Sequence, residues 1–365
     1  MKKQLIIAVL LCLLTGCVAA PEAGSARMAT TQPANCTVGI CLPDESDPYW
    51  ATCGSLLNKE LESLGYIPEL YYAQNDVLLQ AQQVVQLQTQ GVSCLVVAGI
   101  DSVGLTDALA QVYDAGIPVI ALDRMLMDTD GVRLCVSFDY KAIGEAMGRH
   151  IERELALDTA QQEGRSHRVE FFMGSPDDPN APILHQGILS VLQSYLGSGV
   201  LTCPSGRTAF EDVWILREAG GKAGETLLKY IDQYYTEKAP FPQIICTGSD
   251  ALAQGCIQAL EQRKCSATQW PLIVGQGNTP DNVTAKKQAM TVQKDLTQLA
   301  ADCADAVGIL IADGQLPEGF AQATVNNHAI SVPVRLCDFE VVVSTQEQDG
   351  ETGEILQEQT DPTEQ

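Results

Sequence analysis

The sequence predicts a doubly wound α/β architecture made of two such units, on three observations. Short β-rich runs alternate with helically spaced segments from residue 37 to residue 311. Several of the runs, Leu95-Val96-Val97-Ala98 among them, are continuously apolar. That pattern suits strands of a parallel sheet covered by helices on both faces. The chain has 365 residues, enough for two medium domains with sizeable cores.

In chain order, Lys2 and Lys3 precede an apolar run from Leu5 to Leu14, too short for a membrane span and flanked like a signal peptide. It ends in Leu14-Thr15-Gly16-Cys17, which resembles a bacterial lipobox. The resemblance implies cleavage after residue 16 and acylation of Cys17, hence export to the cell surface or periplasm with a lipid anchor in the cell membrane. Residues 17–36, rich in Pro, Ala, Ser and Thr, read as a tether. Strands are predicted at Thr37–Leu42, Glu69–Tyr72, Cys94–Ala98, Pro118–Leu122, Leu134–Phe138, Val169–Met173, Gln243–Thr247, Leu272–Gly275 and Met290–Gln293. Helical spacing marks Trp50–Leu64, Val77–Gln90, Leu105–Asp114, Ile183–Leu196, Lys222–Tyr235, Ala251–Gln262 and Leu296–Ile311. Residues 345–365 are acidic and polar and read as a disordered tail.

Composition removes several function classes. The net charge is −24, and loss of residues 1–16 with two lysines makes it about −26. Such a surface repels phosphate backbones, so nucleic-acid partners are not expected. Cys12 and Cys17 fall in the exported leader and its lipidation site, which leaves eleven of the thirteen cysteines. They show no zinc spacing, and neither a metal nor a cofactor is expected. Cys41, Cys94, Cys135 and Cys246 read as small buried hydrophobes, with a Cys256–Cys265 pair left open. Catalytic motifs are missing as well. Gly275-Gln276-Gly277 continues into Asn278-Thr279-Pro280, where a dinucleotide loop needs a third Gly. There is no Walker A loop, GxSxG elbow or HExxH, so no enzyme is expected.

In doubly wound sheets ligands sit beyond the carboxyl ends of the strands. Those ends carry Asp123 and Arg124, then Asp178 and Asn180, Asp250, Gln276 and Lys294, with Trp50 after the first strand. Carboxylates and amides can take paired hydroxyls, cations donate to ring oxygens, and an indole covers the C–H face of a sugar. Each residue also has a plain structural use. Asp123–Arg124 suits a surface ion pair, Asp178 and Asp250 suit helix N-caps, and Trp50 suits a core.

The run GSPDDPNA at 174–181, followed by GILSVL at 187–192, resembles the multiple-sugar and xylose-type receptors of the type I periplasmic binding protein family. ALDR at 121–124, SFD at 137–139, GSDALA at 248–253, Gly275-Gln276 and Lys294-Asp295 reinforce the likeness. It implies two doubly wound parallel-sheet lobes joined by a three-strand hinge. The N-terminal lobe would be 37–138 plus 277–331 and the C-terminal lobe 139–276 plus 332–344, with crossings near Asp139, Gln276 and Val332–Val334. By position, Trp50, Asp123 and Arg124 would bind sugar from the first lobe. Asn180 and Asp250 would bind it from the second, with Gln276 near the hinge and Lys294 completing the site.

The family function is capture of a monosaccharide by a monomeric protein for the permease subunits of an ABC importer. A sensor working with a membrane kinase, or a binder of a polyol or nucleoside, fits the same residues. Departures concern the ligand. Tyr49 stands where the family often has Arg, and Glu218 where it has Trp, with Trp214 as a possible substitute. Pro179 replaces a polar residue and Tyr140 an Asn. On this reading Asp123→Ala or Asp250→Ala abolishes binding and leaves the melting temperature of the empty protein nearly unchanged.

Overall fold

The computed structural model of the chain describes residues 36–278, 281–312, 321–325 and 330–344. The expected signal segment, Cys17, most of the tether and the acidic tail lie outside the described residues. The first sheet draws on β1 (Thr37–Leu42), β2 (Ile67–Tyr72), β3 (Cys94–Val97), β4 (Val119–Leu122) and β5 (Val132–Phe138). Between these strands run α1 (Pro48–Ser63), α2 (Val77–Gln90) and α3 (Thr106–Asp114). The second sheet begins after α4 (Tyr140–Glu154) and α5 (Leu157–Gln162), with β6 (His167–Phe172). It is followed by α6 (Asn180–Ser198), β7 (Leu201–Thr202), α7 (Phe210–Val213), α8 (Gly220–Tyr234), β8 (Ile244–Thr247) and α9 (Asp250–Gln262). The chain closes with β9 (Leu272–Val274), α10 (Asp281–Thr284), β10 (Met290–Lys294), α11 (Leu296–Ala312), β11 (Ala321–Val325), β12 (Ile330–Cys337) and β13 (Phe339–Val343).

The strand orders are β11-β12-β5-β4-β3-β1-β2 and β13-β10-β9-β8-β6-β7. Each sheet is parallel except for one border strand, β11 against β12 and β13 against β10. The apolar runs explain this arrangement. β1, β3 and β4 are buried almost throughout and lie centrally, whereas β2, with exposed Ile67 and Glu69, is an edge. Alternate side chains of β1 serve two cores. Val38, Ile40 and Leu42 pack towards α1 and α11, while Cys41 packs towards α2 and α3. A third core, built on Phe172, Ile245 and Ile273, lies under α8 and α9.

The crossings between the sheets need correction. The chain leaves the first sheet at Asp139, but the second crossing falls at Asp295 and not near Gln276. β10 pairs with β9 and β13, and its Met290 and Val292 are buried in the second lobe, so residues 281–294 belong there. The third crossing falls at Asp338 and not at Val332–Val334, because β12 stays paired with β5 as far as Cys337. Asp139 caps α4 through Ala142 N, and Asp295 likewise accepts from Gln298 N at the start of α11. Asp295 N in turn donates to Asp338 O at 3.1 Å, which ties two of the crossings together.

Sequence spacing missed α4 because Gly144 and Gly148 weaken its helical signal. It also missed β11 to β13 and started α6 three residues late, since Pro182 lies in the first turn, where a helix tolerates it. Among the described residues Cys256 and Cys265 form no disulfide, and Cys41, Cys94, Cys135 and Cys246 are buried.

Two buried histidines set an acid limit on the fold. His150 on α4 and His185 on α6 have Nε2 atoms without partners among the described residues, and burial lowers both to about 4. The unfolded chain binds protons near pH 6.5, so between there and pH 4 it takes protons that the native state refuses. Stability from each neutral imidazole is therefore complete above pH 6.5 and lost as pH falls, about 2 kcal/mol per residue by pH 5. Buried Glu170, whose carboxyl burial raises, acts in the opposite sense, so the effect is read as a difference. His185→Leu is expected to flatten the fall of the urea midpoint between pH 7 and pH 5. An unchanged slope would contradict the assignment.

Candidate functional site

The carboxyl ends of the two sheets face each other across a cleft lined by Trp50, Asp123, Arg124, Asp178, Asn180, Asp250, Gln276 and Lys294. All eight candidate residues from the sequence meet there; Cys17 lies outside the described residues. The cleft holds about 680 Å³ of empty space, part of it open to solvent.

Asp123 follows β4 with φ 61° and is 2% exposed. Both carboxylate oxygens are engaged. Tyr49 Oη donates to Oδ2 at 2.7 Å and Tyr140 Oη to Oδ1 at 2.8 Å. Burial, and after it the charge of Asp123, raises both phenols well above their ordinary range, so they stay donors. Lys294 Nζ donates to Tyr140 Oη at 3.0 Å and lies 3.9 Å from Asp123 Oδ2. Its ammonium also sits over the Tyr49 ring at 4.2 Å, with Tyr140 and Phe138 rings close by. Tyr49 and Tyr140 are therefore site residues that the sequence had marked only as departures.

Arg124 does not pair with Asp123 on the surface. Its Nε meets Asp178 Oδ2 at 3.0 Å, and its guanidinium covers the Trp50 ring at 5.2 Å. Burial works against the arginine charge, but Asp178, Glu218 and Asp123 outweigh it and raise its pKa. Burial raises Asp178 despite Arg124. Asp178 Oδ1 also accepts from Asn180 N at 2.9 Å, so this residue both shapes the start of α6 and faces the cleft. Asn180 Nδ2 reaches across to Asp123 O at 2.9 Å.

Ser249, and not Asp250, caps α9. That leaves the Asp250 carboxylate to accept from Gln288 Nε2 at 2.7 Å and Thr291 Oγ1 at 2.8 Å. Gln276 Nε2 donates to Gly248 O, while its buried Oε1 has no partner among the described residues. Trp214 is 42% exposed and does not line the cleft, so it supplies no stacking face there. Glu218 lines it instead.

Contacts among the described residues that join the lobes include Arg124 to Asp178, Asn180 to Asp123 O, Lys294 and Tyr140 to Asp123, Ser102 N to Asp177 O at 3.0 Å, and Arg217 Nη1 to Asn75 O at 2.7 Å. The lobes are thus held closed on the cleft. Among the described residues no group of three His, Cys, Asp or Glu side chains is placed to hold a metal. No described helix is long and apolar enough to cross a membrane.

Residues 38–315 match the periplasmic binding protein domain family. The multiple sugar-binding periplasmic receptor ChvE of Rhizobium radiobacter is 31% identical over 81% of this chain and 84% of its own length. The D-xylose-binding periplasmic protein of Escherichia coli is 28% identical over 82% and 84%. Among solved structures, an ABC transporter solute-binding protein from Clostridium phytofermentans with bound β-D-glucose superposes with a TM-score of 0.78. It is 31% identical, over 84% of this chain and 94% of that one.

Proposed function

Since the chain belongs to the periplasmic binding protein domain family, we propose that its cleft captures a monosaccharide outside the cytoplasm for an ABC importer. One observation carries the reading. Carboxylates, amides, two cations and aromatic rings from both lobes line a single cleft, and a buried amide oxygen there, Gln276 Oε1, lacks a donor among the described residues. A sugar hydroxyl supplies that donor and accepts from the same surroundings. Arg124, Asn180 and Asp250 are the groups assigned to hydroxyl recognition, with Trp50 and Tyr49 as the apolar wall. Closure about Asp139, Asp295 and Asp338 would bring the two sets of groups onto the ligand, and membrane subunits would read the closed form. The lipobox supports anchoring through Cys17, which holds the receptor near its transporter.

A thermal-shift screen tests the reading. At a hundredfold excess over Kd a ligand selective for the folded state adds about 2.7 kcal/mol, a rise of several degrees. Aldoses are expected to give that rise. A response to nucleosides or polyols alone, or to none of these ligands, would refute the monosaccharide assignment. In the same cells Cys17→Ala should move the protein from membrane to soluble fractions, and unchanged fractionation would remove the anchor.

A further inference from the structure

We propose that the sugar taken by this cleft carries a protonated amine, set against the Glu218 carboxylate. The inference rests on the monosaccharide reading and narrows its ligand class.

Charge balance is the first ground. Five carboxylates, Asp47, Asp123, Asp178, Glu218 and Asp250, line the cleft with two cations, Arg124 and Lys294. Both cations are engaged, Arg124 with Asp178 and Lys294 with Tyr140 and Asp123 over an aromatic floor. Glu218 makes no ion pair among the described residues, and the Ser249 side chain is its hydrogen-bond partner. Closing the lobes on a neutral sugar would leave this carboxylate desolvated with Arg124, already paired with Asp178, as its main counter-charge, an arrangement short of positive charge. An ammonium brings three donors and no acceptor, the complement of an acceptor-rich lining. The unpartnered Gln276 Oε1 is a second acceptor in the same cleft.

The backbone is the second ground. Arg217 and Glu218 have φ of 53° and 50°, a left-handed pair in residues that rarely adopt it. This turn sends Arg217 outwards to Asn75 O on the opposite lobe, and sends Glu218 inwards beside Gly174. A Cβ on Gly174 would stand 3.0 Å from Glu218 Oε1, so the glycine leaves room for the carboxylate. The segment is shaped to present an acid to the cleft. Burial, with Asp178 adding to it, pushes the Glu218 carboxyl upwards against the attraction of Arg124 and Lys294.

Isothermal titration of the full chain with D-glucosamine and D-galactosamine against D-glucose and D-galactose decides the matter. The titrations are run near pH 6.5, where amines keep their proton. At least one amino sugar is expected to bind tenfold or more tighter than its parent hexose. Glu218→Gln should collapse that ratio towards one, with the melting temperature of the empty variant measured alongside. If Glu218→Gln does not fold, the ratio should still fade in the unaltered protein as pH rises through the titration of the amine. Hexoses that bind as tightly as their amino analogues would overturn the inference and leave the monosaccharide reading standing. A tenfold ratio retained in Glu218→Gln would overturn the role of that residue. Failure of every sugar to bind would remove both readings.

Discussion

Asp250→Ala is expected to eliminate the sugar-induced rise in melting temperature and to lower the melting temperature of the empty protein by roughly 3–8 °C. The loss of binding follows from the carboxylate's chemistry. Hydrogen bonds to a charged group contribute about 1.5–3 kcal/mol each, so two lost hydroxyl contacts weaken binding by about two to four orders of magnitude. The loss of stability follows from what else the carboxylate holds. Asp250 is 3% exposed and accepts from Thr291 Oγ1 and Gln288 Nε2. Gln288 keeps Met290 O, but Thr291 loses an acceptor in a buried site, at about 1–3 kcal/mol. Helix α9 itself is not uncapped, because Ser249 performs that role. Asp250→Asn keeps the shape and should lower the melting temperature less. An unchanged melting temperature with binding lost would restore the expectation drawn from sequence. Intact binding would reduce Asp250 to a structural part.

The sequence located the site well because it lay at strand ends, and strand ends are marked locally by an apolar run stopping at a polar residue. Asp123, Asp250, Gln276 and Lys294 were all found in this way. What they do in the empty protein was not legible, since it depends on partners distant in the chain. Tyr49 and Tyr140 are 91 positions apart and meet only on Asp123. The sheet crossings were misplaced for a related reason. An apolar strand such as Met290–Lys294 satisfies either sheet by composition, and pairing with β9 and β13 decides between them. Arg217 and Glu218 carried no glycine to announce their left-handed turn, so the acid in the cleft was read only as a missing tryptophan.

Gly187→Ala is expected to cost about 3 kcal/mol, whereas Gly197→Ala on the same helix should stabilise by about 0.5–1 kcal/mol. Helices α4 and α6 pack backbone to backbone through Gly144, Gly148 and Gly187. A Cβ on Gly187 would collide with the Lys141 carbonyl oxygen, and one on Gly144 with the Leu184 carbonyl oxygen. Backbone atoms cannot rotate aside, so the helices must part. Nothing lies within 4 Å of a Cβ at Gly197, where alanine's better helix propensity acts alone. Parting the helices should also reach the cleft. α4 starts at the Asp139 crossing and carries Tyr140, while α6 starts at Asn180, beside the Asp178 that holds Arg124. Chemical denaturation of the two variants checks the stability difference, and titration with the best sugar from the screen checks the relay. Equal stabilities would show that the helices can separate freely. A destabilised Gly187→Ala with unaltered affinity would confine the glycine contact to the fold and free the cleft from dependence on it.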